Sequence, residues 1–289
     1  MAKILLGKPV ADAICEKLTA RIGELKDAEI TPTLAIVRVG ERADDLSYER
    51  GVEKRFQALG IELKKFILPN KCSQTELLDT ITQVNNDPHI HGCLMFRPLP
   101  KTLDEQAICN ALSPVKDMDG ITPGSLYGVF TGDKKGYPPC TAHACIKMLD
   151  FYGYDLDGAN VVVIGRSLVV GKPVSMMLQA KNATVTMCHT HTRNLDKVCK
   201  RADILVVAAG HAKVIGPNAT HSEQVILDVG INWDECENKL VGDVNFDEVE
   251  PLTGAITPVP RGVGSVTSAV LASHVVRACE KSIKCGAKN

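Results

Sequence analysis

The sequence has no C-x-x-C pair among its 11 cysteines, no excess of positive charge and no apolar run of membrane-spanning length. Each absence removes a class of function. Without paired cysteine spacings there is no zinc-finger pattern, and the closest group, "CTAHAC" at 140–145 with His143, lacks a second pair. An odd cysteine count without a secretory leader points to reduced thiols, most of them small buried side chains. A net charge of −1 leaves no electrostatic footprint for nucleic acid, which shows as clustered Lys and Arg. No stretch approaches the roughly 20 apolar residues that cross a bilayer. The opening "MAKILLGKPVADAIC" has only a short apolar patch before Gly7 and Lys8, unlike a signal peptide, so a cytoplasmic protein is expected. Internal repeats and low-complexity tails are missing too.

What is present suits an enzyme-sized α/β chain. Its 289 residues allow two modest domains, each with its own core. Val10, Ile14, Leu18 and Ile22 recur at helical spacing. "TLAIVRVG" (33–40) is a short apolar run ending in glycine, a buried-strand signal, and a helix from Ser47 to Leu59 stops at Gly60. "ELKKFILP" reads as a further strand and "HGCLMFRPLP" (91–100) as one running into prolines that cannot continue a ladder, with "ELLDTITQVNND" and "DEQAICNAL" as helices. Such alternation implies a parallel sheet covered on both faces. Residues 113–141, rich in Gly, Pro and Asp, read as a long irregular segment of functional or inter-domain character.

The clearest nucleotide signal is "GANVVVIGRSLVVGKPVSMMLQAKN": a β-branched strand, a glycine turn from Gly165 to Gly171, and a helix opening near Pro173. Backbone N–H groups in such a turn suit a pyrophosphate. The turn is not G-x-G-x-x-G, because Ser167 holds the middle glycine position, and a purely structural βα turn is the bland alternative. The next strand, "ATVTMCH", ends Cys188-His189-Thr190-His191-Thr192 with no carboxylate for a ribose 2′-hydroxyl. With Arg166 in the first turn, this fits NADP rather than NAD. His191 reads as part of a solvated loop.

Several stretches together resemble the FolD-type methylenetetrahydrofolate dehydrogenase/cyclohydrolases. They are "VG", "SY" and "LGI" within 39–61, "RPLP" at 97, "KDMDG" at 116, "PPCT" at 138 and "GRSLVVGKP" at 165, then "ATVTMCH" at 183, "DVGIN" at 228, "GDV" at 242 and "ITPVPRGVGSVT" at 256. They keep the family's order over nearly the whole chain. The resemblance implies two α/β domains around a cleft that takes the folate, the second a Rossmann-type dinucleotide-binding domain. Residues 1–140 with 268–289 would form the folate-binding catalytic domain and residues 141–267 the NAD(P)-binding one. It also implies a homodimer paired through the cofactor domain, with tetrahydrofolate one-carbon derivatives as substrates. Carried over by position, Tyr48 would stack on the folate and Asp119 would hold the pterin. Gly165, Arg166, Ser167, Thr190 and Ile231 would contact NADP, and Pro258, Val259, Pro260 and Gly262 would line the folate pocket. Apart from the resemblance, Tyr48 reads as a half-buried amphipathic side chain and Asp119 as a turn cap.

Two catalytic positions depart from that family. Its pattern reads Tyr-x-x-x-Lys, the lysine serving the hydrolytic step, and here the fourth residue after Tyr48 is Val52. The family's glutamine before "LPLP", which holds the lysine, is here Phe96. Arg261 stands for a glycine and Ser265 for a proline in "PRGVGSVT". No neighbour replaces the lysine: Lys54 lies about 240° around the helix from Tyr48, Arg50 is off its face, and Arg55 is about 10 Å further along the axis. Arg97 would face opposite to Phe96 in a regular strand. The expected activity is therefore NADP-dependent oxidation of 5,10-methylenetetrahydrofolate with the cyclohydrolase step lost or very weak. A catalytically silent folate- or nucleotide-binding paralogue, and an enzyme acting on another substrate, are the alternatives.

Overall fold

The computed structural model describes residues 1–133, 135–235 and 237–286. The chain forms two compact units: residues 13–140 with the segment from Ser268 onward, and residues 1–12 with 141–267. In chain order the first elements are β1 (Lys3–Ile4), α1 (Gly7–Asp27), β2 (Thr33–Val39), α2 (Ala43–Leu59), β3 (Glu62–Leu68), α3 (Gln74–Asn86) and β4 (Gly92–Met95). Helices α4 (Glu105–Ala111), α5 (Pro123–Thr131) and α6 (Cys140–Tyr152) follow. Strands β5 (Asn160–Ile164), β6 (Thr184–Cys188), β7 (Ile204–Val207) and β8 (Val225–Asp228) are interleaved with α7 (Gly171–Gln179) and α8 (Leu195–Cys199). A hairpin of β9 (Asn232–Asp234) and β10 (Lys239–Val241) precedes α9 (Phe246–Val249), β11 (Ala255–Ile256) and α10 (Thr267–Gly286).

The first of these sheets has the order β3-β2-β4, parallel throughout. Its central strand β2 is buried along its whole length, as expected of an unbroken apolar run covered on both faces. Ala35, Val37 and Val39 share a core with Leu77 and Ile81 of α3 and Ile108 of α4. The one charge in β2, Arg38, is neutralised in place: its Nε donates to Glu49 Oε2 of α2 at 2.9 Å, and both side chains are buried. Lys65 of β3 reaches the other Glu49 oxygen at 2.8 Å. Helix α2 stops where the sequence says it should, at Gly60 in the left-handed region with φ of 74°.

The second sheet has six strands in the order β1-β11-β8-β7-β5-β6, all parallel. Counted from β5, this is the doubly wound 2-1-3-4-5 order, whose direction reverses between β5 and β7. Such a switch point opens a crevice at the carboxyl ends of the strands, the usual place for a ligand in an open α/β sheet.

Two expectations need correction. Residues 1–12, assigned to the first domain, belong to the second unit, because β1 pairs with β11 and Leu5, fully buried, donates its N–H to Ile256 O at 2.9 Å. The segment 113–141 is not wholly irregular. It contains α5, begun by Thr122, whose hydroxyl accepts the Ser125 N–H, and by Pro123 in the first turn. The strand expected to run from 91 into prolines is β4, which ends at Met95 ahead of Pro98. All nine cysteines whose side chains are described carry free thiols, and every one but Cys15 is buried. Cys236 and the side chain of Cys285 lie outside the described residues. Among the described residues no helix is long and apolar enough to cross a membrane.

Candidate active site

Helix α2 and the end of β4 bring the first set of candidates together. Tyr48, half-buried on α2, meets Phe96 edge-to-face, with ring centroids 6.1 Å apart and planes at 75°. Phe96 is held there because its N–H continues the ladder onto Val37 O at 3.0 Å. Val52, one helical turn beyond Tyr48, is wholly buried, as is Phe56 one turn further. Positions 52 and 96 are thus apolar, and neither side chain can act as an acid or base in proton transfer.

Of the nearby cations, Arg97 and Arg55 have partners and Arg50 and Lys54 point to the surface. Arg97 pairs with Glu105 of α4 at 3.5 Å, while the other Glu105 oxygen accepts the Leu99 N–H at 2.8 Å. Arg55 donates to Ser268 Oγ at 2.8 Å and to Cys15 Sγ at 3.2 Å. Arg50 and Lys54 are exposed.

The two aspartates of "KDMDG" divide their labour. Asp117, fully buried, accepts the amides of Ile121 at 3.0 Å and Thr122 at 2.8 Å, so it is the turn cap. Asp119 Oδ1 accepts the Cys140 N–H at 2.9 Å. Burial pushes the Asp119 carboxyl above the ordinary carboxylate value, against the lowering by the Cys140 amide and thiol. His274 of α10 secures the same segment, with Nδ1 2.8 Å from Met118 O.

In the six-stranded sheet the glycine turn lies at the switch point. Gly165, at the end of β5, has φ of 126°, and a methyl group there would lie 2.2 Å from Ala208 O beyond β7. A methyl on Gly171 would come within 2.2 Å of the Gly165 carbonyl. Only glycine at both positions lets the turn fold back on itself and bring α7 against it. Ser167 supports the turn, its hydroxyl accepting the Val170 N–H at 3.1 Å. Arg166, Ser167 and Thr190 are exposed. The loop after β6 is braced internally: His189 N–H donates to Thr192 Oγ1 at 2.9 Å, and His191 N–H to His189 Nδ1 at 3.1 Å. A tight turn at the N-terminus of α7, a nearby arginine and no carboxylate at the end of β6 together fit a phosphorylated dinucleotide.

Sequence reasoning missed the device that orders the far side of this sheet. Asp228, ending β8, is buried and accepts three amides: Gly230 and Asp243 on Oδ1, both at 3.0 Å, and Val244 on Oδ2 at 2.9 Å. Asp243 in turn accepts the Gly210 N–H at 2.8 Å and the Asn232 amide at 2.9 Å. Burial pushes the Asp228 carboxyl up to about 7 despite those amides. "DVGIN" and "GDV" are therefore two halves of one clamp, and the available signal was an aspartate directly ending an apolar strand. The clamp presents Ile231, 64% exposed, at the edge of a cavity of about 170 Å³ lined also by Pro258, Val259, Pro260 and Gly262. A larger cavity, about 590 Å³, lies against the same Pro258–Arg261 segment.

Residues 5–119 match the family described as tetrahydrofolate dehydrogenase/cyclohydrolase, catalytic domain, and residues 139–283 match its NAD(P)-binding domain. The chain belongs to the tetrahydrofolate dehydrogenase/cyclohydrolase family. The bifunctional protein FolD of Carboxydothermus hydrogenoformans is 49% identical over 97% of this chain and 98% of its own. The bifunctional FolD structure from Campylobacter jejuni superposes with a TM-score of 0.94 at 34% identity, covering 97% of this chain and 99% of that one. The FolD structure of Trypanosoma brucei, complexed with NADP and an inhibitor, does so with a TM-score of 0.91 at 30% identity over 98% of each chain. Family membership accounts for the α/β architecture and the NAD(P)-binding sheet.

Proposed function

We propose that the protein oxidises 5,10-methylenetetrahydrofolate to 5,10-methenyltetrahydrofolate with NADP⁺, and that the following hydrolysis to 10-formyltetrahydrofolate is lost or very weak. The observation that carries this reading is the Tyr48–Phe96 edge-to-face contact beside a wholly buried Val52. Kinship at 49% identity concerns fold and reaction class, whereas hydrolysis depends on individual proton-handling side chains. Water attack on the methenyl carbon needs a base to activate the water and an acid for the collapsing intermediate, and losing such a group costs about 10²–10⁴-fold.

Hydride transfer asks less of the protein. The substrate carbon must be held close to the acceptor in a dry, oriented pocket. In this reading Tyr48 covers one face of the folate and Asp119 bonds the pterin edge. Val52 and Phe96 exclude water. Gly165, Arg166, Ser167 and Thr190 hold the dinucleotide, and the Asp228 clamp sets Ile231 beside it. NADP⁺, when bound, supplies the hydride acceptor. A homodimer paired through the NAD(P)-binding unit belongs to the same reading, and sedimentation would test it.

The deciding experiment mixes purified protein with methylenetetrahydrofolate and NADP⁺ or NAD⁺ and follows methenyl absorbance and its decay. Methenyl that accumulates and decays only at the spontaneous rate is the expected result. Decay well above that rate refutes the loss of hydrolysis. No methenyl signal, with folate still bound by calorimetry, means a silent binding protein instead.

A further inference from the structure

The buried stripe of α2 is Asp45, Glu49, Val52 and Phe56, so two of its members are carboxylates. Their surroundings differ. Glu49 is neutralised by Arg38 at 2.9 Å and by Lys65 at 2.8 Å. Asp45, with its side chain only 9% exposed, has one ion pair, to Arg42 Nη2 at 3.7 Å, and accepts no hydrogen bond from the described residues. Arg42 is itself 44% exposed, and its Nη1 donates to Pro98 O at 3.0 Å. The other charges around Asp45 are Asp44 and Glu49 of its own helix and Arg38, which is committed to Glu49. A buried carboxylate so weakly compensated is costly, and burial pushes its titration above its ordinary value of 3.8.

Tyr48 follows Asp45 by three residues, which makes them neighbours on one helix face. The residues on either side of Asp45 both reach the stretch after β4: Arg42 bonds Pro98, and Tyr48 packs on Phe96. Asp45 therefore faces the same corner as the Tyr48 ring, and all of these residues belong to one compact unit. One turn beyond the ring, Val52 brings no positive charge to oppose it.

We propose that Asp45 supplies the counter-charge for the cation that forms when the substrate gives up its hydride. This rests on the proposed reading of the Tyr48 corner as a folate site. Hydride transfer breaks one C–H bond of the methylene bridge and sends both electrons with the hydrogen to NADP⁺, which becomes NADPH. The bridge carbon is left in a methenyl group whose positive charge is shared by its two nitrogens. A fixed carboxylate beside Tyr48 favours that charge as it develops, where little water screens it. The same attraction stabilises the methenyl cation against attack by water, in keeping with weak hydrolysis. Retention of a poorly compensated buried charge is then explained by its use.

The test is Asp45→Asn, which keeps the shape and removes the charge, with Asp45→Ser as a second neutral variant and Asp45→Glu as the charged control. Both neutral variants should lower kcat for methylenetetrahydrofolate oxidation about 10- to 100-fold, with KM for either substrate within about threefold of wild type. Asp45→Glu should recover part of the rate. By calorimetry, wild type should bind the methenyl cation about tenfold more tightly than tetrahydrofolate, and the neutral variants should lose that preference. They should melt no lower than wild type, because each removes a buried charge that lacks a close partner. A kcat and a methenyl preference that both survive in the Asn and Ser variants overturn the inference and leave the folate reading intact. Neutral variants that melt lower and lose methenyl and tetrahydrofolate binding alike overturn it as well, by making Asp45 a structural residue. Wild type that neither oxidises methylenetetrahydrofolate nor binds the methenyl cation overturns the folate reading itself.

Discussion

In the proposed reading one side chain, Val52, decides between two reactions on the same scaffold. It would stand where the family's lysine reaches the folate, and it is wholly buried. A lone ammonium in that place would lose its hydration without gaining a partner. Val52→Lys should therefore lower stability on the order of 3–5 kcal/mol, as judged by denaturant unfolding. Adding Phe96→Gln supplies a hydrogen-bond partner. The double variant should recover part of that loss and raise methenyl hydrolysis on the order of 10²-fold over wild type. A double variant that hydrolyses no faster than wild type would contradict the assignment of residues 52 and 96. The substitutions were legible from spacing alone, because Tyr48 and Gly60 share one helix whose end glycine announces. The edge-to-face contact was not, since Tyr48 and Phe96 are brought together by strand pairing remote in sequence.

At the scale of elements, the turn between β5 and α7 and the clamp after β8 do the positioning. Gly171→Ala would drive a methyl into the Gly165 carbonyl, so it should cost about 1–3 kcal/mol and weaken NADP⁺ binding together with it. Wild-type melting and affinity in that variant would mean the turn is looser than its geometry. The clamp has a pH signature. Because the Asp228 carboxyl titrates at about 7 in the fold, against an ordinary value of 3.8, its protonated form is favoured by folding. Its contribution is full below about pH 4 and is lost as pH rises through about 7. Asp228→Asn does not titrate, so the melting-temperature gap between wild type and variant should narrow from about pH 5 to about pH 8. A gap that widens with pH would show that the three amides hold the ionised form instead. The strand–turn–helix itself was readable because β-branched runs and glycine spacing are local. Helix α5 was not, since nine residues inside a Gly- and Pro-rich stretch carry too little period to stand out.

For the whole molecule, two units with separate cores predict separable responses. NADP⁺ at a hundredfold over its dissociation constant adds about 2.7 kcal/mol of stability to whatever folds with its site. Hydrogen exchange should then slow in β5, β6 and α7 and leave β2, β3 and β4 nearly unchanged; protection confined to the latter three would refute the location of the dinucleotide site. The sequence by itself determined the parallel α/β class, the glycine turn, the missing carboxylate after β6 and the apolar identities of residues 52 and 96. Each is a property of composition or of spacing within one element, set by backbone sterics and side-chain chemistry that act over a few residues. Tertiary structure alone decided that β1 completes the second sheet, that Asp228 and Asp243 form one clamp, and that Arg261 lines two cavities. Those depend on strand order and long-range backbone pairing, where the gain comes from burial and hydrogen bonds between segments far apart in the chain, and no local pattern encodes them.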